Sequence, residues 1–140
     1  MKPSLIKLVE TRAFHACEYC LLPMEGMEET FQVDHIIAES HDGPSVESNL
    51  AWSCPSCNRY KGTNVAGYDP DRTSNDPIRL FNPRNDNWNE HFRLENELII
   101  GTSAIGRVTV RILRMNASHC RNIRLDLIEE GLYPPPHYQP

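Results

Sequence analysis

The chain has 140 residues, 39% hydrophobic and 24% charged, with a formal charge of −5. That composition excludes a disordered polyelectrolyte and provides the material of a folded core. The acidic balance excludes a generic basic nucleic-acid coat protein, while leaving room for a nucleic-acid enzyme with one local positive face. The charge is uneven. Residues 1–50 carry three basic and nine acidic groups, residues 51–100 six and seven, and residues 101–140 five and three. Eleven of the fourteen basic residues are arginine, the side chain best suited to bidentate phosphate contacts. No apolar run approaches the roughly 18 residues of a membrane span, and Lys7 and Glu10 interrupt the apolar residues near the N-terminus. The reading is an intracellular, cytoplasmic protein, in which five cysteines are thiols or metal ligands.

In chain order, residues 4–15 predict a helix capped by Ser4, with Leu5, Leu8, Val9 and Ala13 near one face. The knuckle Cys17-Glu18-Tyr19-Cys20 follows, then a loop over 21–29. Residues 30–37 alternate as a strand. Residues 38–48, with Asp42-Gly43-Pro44, read as a loop, and Leu50–Ser53 as a second strand. Pro55 opens a helix that Gly62 ends. Residues 63–90 form a long irregular connection with one strand at Ile78–Phe81. Residues 91–100 suggest a hairpin turning at Glu95-Asn96. A helix over 104–115, capped by Thr102 or Ser103, sets Ile105, Val108, Ile112 and Met115 on one face and Arg107, Arg111 and Arg114 on another. A last helix over 118–130 stops at Gly131, and a proline-rich tail over 134–140 reads as disordered. The organisation expected is a core over 1–66, an extension over 67–133 packed on it, and that tail.

Two Cys-x-x-Cys pairs, Cys17/Cys20 and Cys54/Cys57, predict a closed tetrahedral structural zinc site. The 33 residues between the pairs exceed the 15–20 of a plain zinc ribbon, so another element lies between the knuckles. Cys120, the odd cysteine, reads as apolar filler on the last helix.

The interval holds Asp34-His35 and Asn49-Leu50, and the second knuckle runs into Asn58 and Lys61. These residues suit metal-assisted phosphodiester cleavage. Asp34 offers a hard anionic oxygen and Asn58 a neutral one, leaving a cation open to water and phosphate. His35 is the candidate general base. Asn49 is a candidate to fix the orientation of its imidazole. In a flat strand Asp34 and His35 point to opposite faces, so a shared site requires the strand to twist or end there.

Cys17-x-x-Cys20, Val33-Asp34-His35-Ile36-Ile37, Asn49-Leu50 and Cys54-Pro-Ser-Cys57-Asn58-Arg-Tyr-Lys61-Gly62 together resemble the zinc-stapled HNH endonuclease family. The resemblance covers residues 12–63. It implies an α+β fold with a ββα-metal core stapled by a four-cysteine zinc site, followed by a C-terminal hairpin and helical extension. It implies His35 as base, Asp34 and Asn58 as ligands of a catalytic Mg2+ or Mn2+, and Asn49 as the orienting residue. Asn58 stands where the family name has histidine, a variation found in active members. The expected activity is metal-dependent DNA hydrolysis leaving 5′-phosphate and 3′-hydroxyl ends. Residues 76–133 resemble an extension of small bacterial HNH proteins through Leu80-Phe81-Asn82-Pro83-Arg84, Trp88 and His91-Phe92.

Lys61, Arg107, Arg111 and Arg114 are candidate DNA contacts, since no acid interrupts residues 101–125. A single chain offers one site; paired cutting would require a dimer or a larger complex. The alternative reading is a non-catalytic zinc-stapled module that binds nucleic acid or protein. A zinc deaminase is excluded, because His35 does not begin the required His-x-Glu pattern and Ser53 rather than proline precedes Cys54.

Overall fold

A computed structural model describes residues 1–140. Its elements run α1 (Pro3–Arg12), β1 (Gln32–His35), β2 (Leu50–Ser53), α2 (Pro55–Lys61), β3 (Ala66–Gly67), β4 (Ile78–Arg79), α3 (Trp88–His91), β5 (Phe92–Glu95), β6 (Leu98–Gly101), α4 (Ala104–Ile112) and α5 (Ser118–Glu129). Two single 3-10 turns, Glu39–His41 and Glu47–Asn49, shape the connection between β1 and β2. The protein is a small α+β fold in which β1, β2 and α2 form a ββα unit around the cysteine cluster.

β1 and β2 pair antiparallel, from Gln32 opposite Ser53 to His35 opposite Leu50. All four residues of β2 are buried, which explains their unbroken, mostly apolar run. The second knuckle is continuous with α2: the Cys54 Sγ caps the helix by accepting from the Cys57 amide at 3.4 Å, and Pro55 fills its first turn. Gly62 stops it at φ +51, as the sequence indicated.

The C-terminal half consists of two further hairpins, β3–β4 and β5–β6, with α4 packed on β6. Ser103 caps α4 by accepting from the Gly106 amide at 3.0 Å. Gly106 is obligatory there, because a Cβ would sit 1.9 Å from the His91 carbonyl oxygen. This half clamps the first knuckle. The Trp88 indole donates to the Tyr19 carbonyl and the Tyr133 hydroxyl to the Cys20 carbonyl, each at 2.8 Å, and Arg84 pairs with Glu18. One apolar cluster, from Val9 through Tyr19, Trp52, Phe81 and Phe92 to Leu113 and Leu127, joins the two halves.

Several sequence expectations are corrected. α1 begins at Pro3, with Lys2 rather than Ser4 at the cap position and no side-chain cap. Leu8 on that helix is exposed. β1 is four residues long, not eight, because beyond His35 the chain is drawn into the loop by Asn49. The strand is shorter than the expected 78–81: it spans Ile78–Arg79, the Leu80 amide still donates to the Val65 carbonyl at 3.0 Å, and the Phe81 amide donates instead to Thr109 Oγ1. The β5–β6 turn lies at Asn96-Glu97, with Asn96 at φ +55. α4 ends at Ile112, not 115. The tail is packed rather than disordered: Tyr138 meets Trp88 edge-on at 5.6 Å and His137 stacks on Phe14 at 4.7 Å.

Candidate functional site

The four cysteines Cys17, Cys20, Cys54 and Cys57 come together, buried, with every Sγ within 4.8 Å of the others. Cys20 and Cys54 sulfurs are 3.7 Å apart. A tetrahedral zinc with Zn–S bonds of about 2.3 Å sets sulfurs about 3.8 Å apart, so the cluster fits the ion. The four sulfurs cannot share their charge alone. Burial raises the Cys17 thiol, yet contacts from Cys20, Cys54 and Cys57 outweigh it and draw it well down. Contact with Cys17 in turn pushes Cys54 and Cys57 well up. A divalent cation resolves that conflict by stabilising thiolates together. The site is closed by its own ligands and is a structural centre. Cys120 lies outside it, half-buried, with its sulfur 3.3 Å from Ser56 Oγ and 3.4 Å from His119 Nε2.

His35 closes β1 at the rim of the 37–49 loop, its side chain 18% exposed. Nε2 lies 2.8 Å from Ser45 Oγ and 3.0 Å from Glu39 Oε1. The loop brings both partners there. Asp42 takes φ +65, and Gly43 packs so closely that a Cβ would lie 1.7 Å from the Ile37 carbonyl oxygen. Asn49, buried, ties the loop shut: its Oδ1 accepts from the Ile37 amide, and its Nδ2 donates to the carbonyls of Ile37 and Pro44, all at 2.9 Å. Asn49 therefore holds the loop that carries Ser45; the imidazole's hydrogen-bond partner is Ser45, whose hydroxyl donates to Glu39 Oε1 at 3.4 Å. Neither of those two residues was singled out by sequence. A serine and a glutamate in a polar loop look like solvated surface, and only the i,i+4 spacing from His35 to Glu39 offered a signal.

Asp34 points the other way, as alternation along a strand requires. It is 4% exposed. Its carboxylate accepts from the Tyr19 hydroxyl at 2.6 Å and from Lys61 Nζ at 3.2 Å. Burial raises the Asp34 pKa, against the pull of Lys61 and Tyr19. Burial, then the facing Asp34 charge, pushes Tyr19 well up, so the hydroxyl remains a donor. Lys61 is itself 1% exposed and also donates to the carbonyls of His35 and Ile36 at 3.0 and 3.1 Å. Its three protons thus have three acceptors. Asn58 donates through Nδ2 to Gln32 Oε1 at 2.7 Å, leaving its own Oδ1 without a donor.

A catalytic cation with exchangeable water needs an accessible carboxylate. As placed, Asp34 is sealed beneath an ammonium and a phenol, and the expected Asp34–Asn58 ligand pair does not fit an open cation site. Only Asn58 presents a free oxygen.

The expected phosphate contacts are also redistributed. Lys61 is internal, paired with Asp34. Arg107 is bound by Asp69 at 2.9–3.0 Å and by Asp71 at 3.2 Å. Arg124, buried, donates to the carbonyls of Glu97 and Met115. Arg111 and Arg114 remain exposed. His91 is structural, bonded to Ser103 at 2.7 Å, and His15 pairs with Glu10. His41 stands exposed in the loop without a hydrogen-bond partner.

Residues 17–64 match the family model described as HNH endonuclease. The chain is similar to the Septu protein PtuB of Bacillus thuringiensis, 26% identical over 102 residues that cover 71% of this chain and 36% of that protein. The chain thus spans about a third of the length of that curated relative. No solved structure matches it. No helix is long and apolar enough to cross a membrane. The four-cysteine staple, the ββα unit and the match of residues 17–64 to the HNH endonuclease family model agree with one another and support a nuclease-type function.

Proposed function

We propose that this protein is a DNA endonuclease that hydrolyses phosphodiester bonds with His35 as the general base. The observation that carries the reading is the held imidazole at the end of β1, inside the matched segment. A carboxylate can only accept a hydrogen bond. Glu39 therefore accepts from the Ser45 hydroxyl at 3.4 Å, which leaves Ser45 Oγ to accept from His35 Nε2. The Nδ1 lone pair is left to take a proton from water. The resulting hydroxide attacks phosphorus, the bond to the 3′-oxygen breaks, the departing 3′-oxide takes a proton from solvent water, and 5′-phosphate and 3′-hydroxyl ends form. A positioned base of this kind typically contributes about 10²–10⁴ in rate.

The cofactors in this reading are structural Zn2+ in the cysteine cluster and, from the family resemblance, Mg2+ or Mn2+ at the reaction centre. Asn58 is the accessible oxygen for the second ion; Asp34, held by Lys61, is not open to it. The sealed Asp34 favours one other reading, a zinc-stapled module that binds nucleic acid or protein without cutting. Incubation of supercoiled plasmid with the zinc-loaded protein and added Mg2+ or Mn2+ separates the two. Cutting by the wild type that His35→Ala abolishes, with fold and zinc content retained, supports the nuclease; DNA binding without cutting supports the module.

A further inference from the structure

The arginines of the chain divide sharply by partner. Arg79, Arg84, Arg93 and Arg107 are bound to carboxylates. Arg12 and Arg124 donate to backbone carbonyls. Arg72 lies over Tyr68. That leaves Arg59, Arg111, Arg114 and Arg121, all exposed and none with a carboxylate or carbonyl partner. They come from α2, the end of α4 and α5.

One contact ties α2 to the turn after α4, the segments that carry three of the four. The Arg114 guanidinium lies over the Tyr60 ring, 4.6 Å from its centroid. This contact joins the residue beside Arg59 to the turn that follows Arg111. Arg114 takes φ +50, a left-handed backbone that is costly for a long side chain. That conformation directs the chain out of α4 before Met115 re-enters the core. Around a cavity of about 350 Å3, Arg59 is joined by Leu113 and Met115, the neighbours of Arg114. Glu28 and Glu29 line the same cavity and form no ion pair with Arg59. From residue 101 to 125 the chain holds no acid.

In a chain of net charge −5, exposed arginines that form no ion pair stand out. Guanidinium groups match phosphate in a bidentate manner, and a guanidinium stacked on tyrosine is pre-ordered for such a contact. The cluster begins one residue beyond Asn58, on the helix whose last residue, Lys61, bonds the His35 carbonyl. We propose that Arg59, Arg111 and Arg114, with Tyr60 as platform, hold the phosphate backbone of duplex DNA beside the His35 site. This rests on the nuclease reading above. It replaces Lys61 and Arg107, whose charges are spent inside the fold, with Arg59 and Tyr60.

The test is the binding of a fluorescein-labelled DNA duplex of about 20 base pairs to full-length His35→Ala protein, by anisotropy across a salt series. Each lost phosphate contact lowers the slope of log K against log salt by roughly 0.9. Arg59→Ala with Arg111→Ala should weaken binding at least about tenfold and reduce the slope by about two. Arg114→Asn, which suits the left-handed backbone, and Tyr60→Leu should each weaken it as well. Arg72→Ala and Arg93→Ala, whose guanidinium groups are engaged by Tyr68 and Glu95, should leave Kd and slope unchanged, and circular dichroism checks that all variants fold. If the wild type cuts plasmid while the cluster variants keep its Kd and slope, the surface assignment is overturned and the nuclease reading stands. If the His35→Ala protein does not bind the duplex and the wild type does not cut plasmid, both fail.

Discussion

In the proposed reaction His35 is positioned by Ser45, backed by Glu39, two residues that its own motif does not contain. Glu39 is 69% exposed, yet its carboxylate sits 3.0 Å from Nε2, and Ser45 reaches the same nitrogen. Removing Glu39 and Ser45 together frees the imidazole to rotate and to change tautomer. Glu39→Ala with Ser45→Ala should lower kcat about ten- to a hundredfold and leave KM nearly unchanged, since neither residue is placed to hold the bulk of the substrate. The 15N shifts of His35, read by NMR, should move from a fixed Nε2–H form to a tautomer mixture. Fixed shifts in the double variant would remove these residues from the account. Asp34 and Lys61 make a different kind of pair. A buried ion pair broken on one side typically costs about 3–5 kcal/mol. Lys61→Met should therefore destabilise the protein by about that amount in urea unfolding, and Lys61→Met with Asp34→Leu should recover part of the loss. An unchanged midpoint for Lys61→Met would mean that the ammonium is not seated under β1.

Elements are fixed here by what they staple. β2, α2 and the two knuckles share one cysteine cluster, and structural zinc in peptide models contributes about 10–16 kcal/mol to folding. The ββα unit should lose its structure when zinc is stripped by a strong chelator, or in Cys57→Ala. Far-UV circular dichroism with a zinc assay reads both, and a chelated protein of unchanged spectrum and Tm would contradict a structural role. This part of the fold was legible in sequence because it is written in local chemistry. Pro55 and Gly62 bracket α2, two Cys-x-x-Cys pairs declare the metal, and an apolar run marks β2. What was not legible depends on distant partners. Lys61 reads as a surface cation until Asp34 and two carbonyls surround it. Asn49 reads as an imidazole partner until the loop closes on it. The tail reads as disordered because three consecutive prolines mask Tyr133, Tyr138 and His137, whose side chains find Cys20, Trp88 and Phe14 only in the folded molecule. Strand alternation did announce that Asp34 and His35 diverge.

Across the whole molecule, charge is sorted rather than balanced. Acids of the first fifty residues include those around the His35 loop, while unpaired arginines collect on α2 and the end of α4. Other cations are spent on internal ties, Lys61, Arg124 and Arg107 among them. The Arg107 guanidinium, then the Thr73 hydroxyl, holds the Asp69 carboxyl far below the usual range. A carboxylate lowered on folding contributes stability above its unfolded pKa of about 3.9 and loses it as pH falls below that value. The wild-type Tm should therefore drop more steeply from about pH 5 to about pH 3 than that of Asp69→Asn, while the variant is the less stable protein at neutral pH. Parallel curves would show that the bridge joining the β3–β4 connection to α4 contributes nothing.

In the proposed function, His35 is the catalytic base of a zinc-stapled nuclease. Supercoiled-plasmid cleavage by zinc-loaded protein, with Mg2+ or Mn2+ supplied and His35→Ala run alongside, tests it most directly. Nicked or linear product is expected from the wild type and none from the folded, zinc-replete variant. Equal cutting by both proteins would contradict His35 as the base. Binding of DNA with no cutting by either would contradict the nuclease itself.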